Sequence, residues 1–166
     1  GLGDVYKRQI EENPWRIVFN IREGVFWPAK EGVMERRELV AEDIVFNYTH
    51  MNTSPRGIPT WYGFISEWKA EGKYTAVAYL NKWNANIGYR LLWAYFAAVA
   101  PPEVLKMNDG KGSDDWRLKT GTGPYKLVDL RPDDVQVYDR NDDYWDKEVI
   151  DGVAYGLPYN DRVVYH

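Results

Sequence analysis

From Trp15 to Arg22 the side chains alternate strictly, with Trp15, Ile17, Phe19 and Ile21 on one side and Arg16, Val18, Asn20 and Arg22 on the other. A period of two sends successive side chains to opposite faces of an extended chain, so the segment predicts a half-buried strand. Gly24 breaks it, a short apolar patch follows at Val25, Phe26 and Trp27, and Pro28 to Glu38 reads as a polar loop. The period then changes. Ala41, Ile44, Val45, Tyr48 and Met51 recur at three- and four-residue spacing, which predicts a helix over 41–51, and Glu42 and Asp43 sit in its first turn where the helix dipole favours negative charge. A chain that uses both periods belongs to the α+β class.

The same reading runs to the end of the chain. Asn52 to Pro59 closes the helix with Thr, Ser, Gly and two Pro. Trp61 to Trp68 is aromatic without a clean period and reads as a short helix or an ordered loop. Tyr74 to Leu80 predicts a strand and Ile87 to Val99 a helix, which Pro101 and Pro102 stop while allowing a short new helix at Glu103. Tyr125 to Leu130 and Val135 to Arg140 predict a hairpin around Arg131, Pro132, Asp133 and Asp134, and Val149 to Tyr155 one more strand. The sequence to His166 supplies no helix to cover that sheet, and a bare sheet face signals missing chain. The first nine residues, GLGDVYKRQ, resemble a translated sequencing-adapter read and are set outside the fold as a non-native leader.

Composition excludes more than it selects. Zero Cys removes any disulfide framework or Cys-ligated metal site, and a net charge of −4 without a basic cluster argues against nucleic acid. Leu91 to Val99 is about half the length a membrane span needs, and Gly1 to Gln9 has no apolar signal core. Asp139, Asn141 and Asp143 have the spacing of a calcium loop, but Tyr144 stands where Gly is required and Ile150 where Glu is required. Gly121 and Gly123 precede a strand, which makes them a turn rather than a phosphate cradle. His50, the only internal His, reads as a partly buried helix residue, with no Ser placed as a nucleophile. No cofactor, no metal and no catalysis are expected. The triplets at Asn47 and Asn52 match a glycosylation pattern, the first of them inside a helix.

The remaining signal is aromatic, at 16% of residues. Trp15, Phe19, Trp83, Trp93 and Phe96 fall at positions that suggest core, whereas Trp61 and Tyr62, after a loop of Pro and Gly, are placed to present rings to a ligand. An aromatic-rich β module that binds carbohydrate and a piece of a hydrolase are the rival readings at this level.

Several segments, in order, resemble the family 5 extracellular solute-binding proteins, the dipeptide, oligopeptide and nickel receptors of bacterial ABC importers. WRIVFNIREGVF at 15–26 is similar to that family's strand, LVAEDIVFNY at 39–48 to its helix start, and GTGPY at 121–125 with NDDYW at 141–145 to its third block. Two departures stand out: the longer Pro28 to Glu38 loop, and Val40 where a Thr would cap the helix, a loss of about 1 kcal/mol. The resemblance implies a fragment of a two-lobed periplasmic-binding-protein-like fold of type II with the extra small domain of the peptide-binding group. Residues 10–119 would be that small domain and 120–166 part of the first ligand-binding lobe, with the second lobe absent. It further implies a monomer that captures a small solute, a peptide first among the choices, and hands it to a membrane permease from a periplasmic or extracytoplasmic, membrane-anchored position. Trp61 and Tyr62 would lie at the ligand-facing edge, and most pocket residues would lie outside these 166.

Overall fold

Alternation and helical spacing both carry through to the backbone of the computed structural model, which describes residues 6–11, 15–53, 62–93 and 98–166. In chain order the elements are β1 (Tyr6–Glu11), β2 (Arg16–Ile21), β3 (Phe26–Trp27), β4 (Arg37–Glu38), α1 (Ala41–Thr53), β5 (Ile65–Gly72), β6 (Thr75–Leu80) and a π-helical turn at Tyr89–Trp93. They continue with α2 (Pro102–Gly110), β7 (Tyr125–Arg131), β8 (Val135–Arg140), β9 (Lys147–Ile150), β10 (Val153–Gly156) and β11 (Arg162–Tyr165). Two compact units result, one of Gly1–Glu23 with Val40–Val99 and one of Gly24–Leu39 with Ala100–His166.

The first unit is an antiparallel sheet in the order β1-β2-β6-β5 with α1 against it. Its central strands are buried on both faces: Ile17, Val18 and Phe19 on β2 and Ala76, Val77 and Ala78 on β6. Ala41, Ile44 and Tyr48 are the buried stripe of α1. Removing a large apolar side chain from water stabilises by roughly 1.5–3 kcal/mol, so these residues dominate what holds the unit together. Val40 offers no side-chain cap, yet the helix start is satisfied in another way. The Asp43 carboxylate, three residues into the turn, accepts the Val40 N–H at 3.1 Å, the reach-back half of a capping box.

In the second unit β7 and β8 form the expected hairpin, and β11 adds to give the order β11-β8-β7. The segment at 24–39 joins this unit because Val25, Trp27 and Leu39 are buried and two arginines fasten it. Arg37 sets its fork on both Glu103 oxygens at 2.7 and 2.8 Å, and Arg36 reaches Asp143 at 2.6 Å while lying 3.7 Å over the Phe26 ring. Arg36 and Arg37 thus hold the segment at 24–39 within the second compact unit.

Other expectations are corrected. Tyr6–Glu11, most of it in the segment set outside the fold, pairs residue for residue with β2. The stretch at 61–68, read as helix or loop, runs into β5, an edge strand whose two register shifts break the alternation that would have revealed it. Val149 to Tyr155 is not one strand but the β9–β10 hairpin, because Asp151 and Gly152, at φ 51 and 79, form a left-handed two-residue turn. The predicted helix at 87–99 is helical only as far as Trp93 among the described residues, and Ala98 and Val99 are outside any helix. Trp15 and Trp83, assigned to the core, are 47% and 49% exposed, since one flanks β2 and the other follows β6. His50 is exposed near the end of α1, stacked on Phe46.

Candidate functional site

Tyr62 leads directly into β5, and its ring turns inward. It is 5% exposed and meets Tyr48 of α1 edge-on, with centroids 6.4 Å apart. Tyr48 in turn stacks on Trp68 at 4.5 Å, and Trp68 packs on Phe19 at 5.5 Å. The four rings join helix to sheet as one aromatic cluster of the kind that carries cores. The Tyr48 hydroxyl donates to the Leu91 carbonyl at 2.7 Å, which ties α1 to the π-helical turn. The Tyr62 hydroxyl is buried and makes no hydrogen bond among the described residues. Burial holds its pKa above the ordinary phenol range, with nearby Arg90 acting in the opposite sense. Tyr62, expected at a ligand-facing edge, is thus buried against Tyr48 of α1. Trp61, the other candidate, lies outside the described residues.

The GTGPY and NDDYW segments form one structural bracket. Asn141 is 1% exposed; its amide donates to the Gly123 carbonyl at 2.8 Å, its Oδ1 accepts from the Asp143 N–H, and its own N–H donates to the Pro124 carbonyl. The neighbouring carboxylates are held by arginines, Asp139 by both Nε and Nη2 of Arg162 and Asp143 by Arg36. The Arg162 fork keeps the Asp139 carboxyl below its ordinary pKa. This spacing is thus spent on folding, and among the described residues no three His, Asp or Glu side chains converge as metal ligands.

Two concave surfaces lie on the second unit. One, of about 560 Å³, sits on the sheet and is lined by Pro124, Tyr125, Gln136, Tyr138, Val163 and Tyr165. The Tyr138 hydroxyl donates to Gln136 Oε1 at 2.9 Å. The other, of about 430 Å³, lies within the loop at 29–35, where burial lowers the pKa of Lys30 against the opposing pull of Asp115. Sequence reasoning did not anticipate the bracket role of Asn141, although its place in the NDDYW block marked the position.

The fold has known counterparts. Residues 5–166 match the family described as bacterial extracellular solute-binding proteins, family 5 Middle. The chain belongs to that family. Among solved structures, it resembles the ABC transporter-associated periplasmic binding protein DppA of Helicobacter pylori in complex with the peptide STSA, at TM-score 0.73 and 22% identity over 95% of this chain and 32% of that one. It also resembles the oligopeptide-binding protein AppA of Bacillus subtilis in complex with a nonapeptide, at 0.70 and 21% over 97% and 30%. A third is AgaA of A. tumefaciens R10 in complex with agropinic acid, at 0.70 and 18% over 96% and 29%. The chain thus spans about a third of the length of these relatives, and it has the fold of one part of a periplasmic binding protein. No curated protein sequence matches it.

Proposed function

We propose that this chain is part of the substrate-binding component of an ABC importer, a protein that captures a small solute outside the cytoplasm and passes it to a membrane permease without chemical change. The observation that carries the reading is the family match across residues 5–166. A peptide is the favoured solute, because DppA and AppA were solved with peptides. The agropinic acid bound to AgaA keeps the wider class of small solutes in view. The first unit would be the small domain of the peptide-binding group and the second a part of a ligand-binding lobe. No helix among the described residues is long and apolar enough to cross a membrane, which agrees with a receptor that is periplasmic or held at the membrane by an attachment elsewhere.

Thermal-shift screening of the longer polypeptide that contains this chain tests the reading. Di- to nonapeptides, an opine acid and a chelated metal are the ligand panel, and saturating ligand at about 100 times its Kd raises stability by about 2.7 kcal/mol. A shift with peptides alone supports peptide capture. Absence of any shift across the panel, in a folded protein, would overturn it.

A further inference from the structure

The two units differ in how completely they are buried, and the difference falls on particular residues. In the first unit Ile17, Phe19, Ile44 and Val77 are inaccessible to solvent. In the second, every residue of β9 and β10 is exposed, with Val149 at 67% and Val153 at 53%. A two-stranded hairpin with both faces in water is marginal by itself and needs a third strand or a packed layer. In the separate three-stranded sheet of this unit Tyr138 meets Tyr165 edge-on at 5.8 Å at the 560 Å³ concavity, and β11 is the outermost strand, with its outer backbone edge unpaired among the described residues. Its Val163-Val164-Tyr165 run carries no charge to discourage pairing.

We propose that these two surfaces are interior faces, and that their occupant is further polypeptide of the same receptor, which adds a strand along the open edge of β11 and lays apolar side chains over Tyr138 and Tyr165 and over the β9–β10 hairpin. The inference rests on the receptor reading above. The occupant is identified by length: the solved relatives are about three times as long as this chain, so the larger part of such a receptor is available to cover the two faces. It is identified also by chemistry, since an open edge is completed by main-chain hydrogen bonds from another strand, and Tyr and Val side chains by an apolar layer. The concavity would then be filled by side chains rather than by solute, so that the transport ligand binds elsewhere.

The absence of Cys makes the test clean. Val149→Cys, Val153→Cys and Tyr165→Cys are labelled one at a time with a maleimide, in the 166-residue chain and in the longer polypeptide, each rate being referred to the same variant unfolded in urea. Hydrogen exchange over 147–156 and 162–165 of the unsubstituted proteins serves as the second measurement should a variant fail to fold. The expected result is labelling near the unfolded rate in the 166-residue chain and at least about tenfold slower in the longer polypeptide. Equal, fast labelling and exchange in both proteins would overturn the proposal. So would protection that grows with the concentration of the 166-residue chain and is missing from the longer one, since a second copy would then be the occupant. Ligand-induced thermal shifts in the same longer polypeptide separate failure of this inference from failure of the receptor reading.

Discussion

The side-chain amide of Asn141 donates to the carbonyl of Gly123 across 2.8 Å, joining two sequence blocks that lie eighteen residues apart. The same side chain accepts the Asp143 N–H, so one buried amide shapes the turn after β8 and closes the start of β7 against it. Removing it leaves a carbonyl and an N–H without their partner. Asn141→Ala is expected to lower stability by about 2 kcal/mol, on the scale of leaving a buried polar group unsatisfied. Urea denaturation checks this. Added calcium is expected to leave the midpoint unchanged, since arginines already hold the Asp139 and Asp143 carboxylates.

Tyr48 and Tyr62 touch, but their hydroxyls differ. Tyr48→Phe forfeits the bond to the Leu91 carbonyl and should cost about 1–2 kcal/mol, whereas Tyr62→Phe removes a buried hydroxyl that makes no bond and should be neutral or stabilising. Paired denaturation curves decide it. Destabilisation by Tyr62→Phe equal to that by Tyr48→Phe would mean that the Tyr62 hydroxyl has a partner.

Gly112 occupies space that no other residue can share. A Cβ there would lie 1.8 Å from the Val104 carbonyl oxygen, and backbone cannot swing aside as a side-chain tip can. Gly112→Ala should cost about 3 kcal/mol, at the upper end of overpacking, while Gly121→Ala, with nothing within 4 Å, should cost little. Thermal melts of the two variants against the parent chain are the measurement.

The Arg37–Glu103 fork should be sensitive to acid. The hydrogen bond from Arg37 is the main cause that holds the Glu103 carboxyl below its ordinary pKa. A depressed carboxyl stabilises the fold above the unfolded pKa, about 4.3, and loses that contribution as pH falls through the lower folded value. The stability difference between the parent chain and Glu103→Gln should therefore be constant near neutrality and shrink below about pH 4.3. Denaturation at pH 7, 5 and 3 checks the sign, and a difference that grows on acidification would contradict the ion pair.

Where one physical signal dominated, the sequence was legible. The alternation from Trp15 to Arg22 located β2, β-branched and aromatic residues located β6, and the spacing of Ala41, Ile44 and Tyr48 located α1. β5 was hidden by its register shifts, and the β9–β10 turn was passed over although Asp151-Gly152 is a strong hairpin signal. Position in the pattern misled for Trp15 and Trp83, which were expected in the core and are exposed because they flank β2 and β6 rather than lie within them. Long-range attachments such as Arg37 on Glu103 leave no local trace in the sequence, which is why the place of the 24–39 segment in the second compact unit was not legible. The ligand site was the least legible part, since affinity comes from polar groups that converge from distant segments.

The receptor account is tested most directly by titrating a mixed peptide library calorimetrically into the 166-residue chain and into the longer polypeptide containing it. A chain that supplies one wall leaves bound solute in water, where each hydrogen bond nets only about 0.5–1.5 kcal/mol, too little to offset the several kcal/mol of freedom lost on association. The account predicts saturable heat from the longer polypeptide and none from the 166 residues alone. Micromolar, one-to-one binding by the 166-residue chain itself would contradict it.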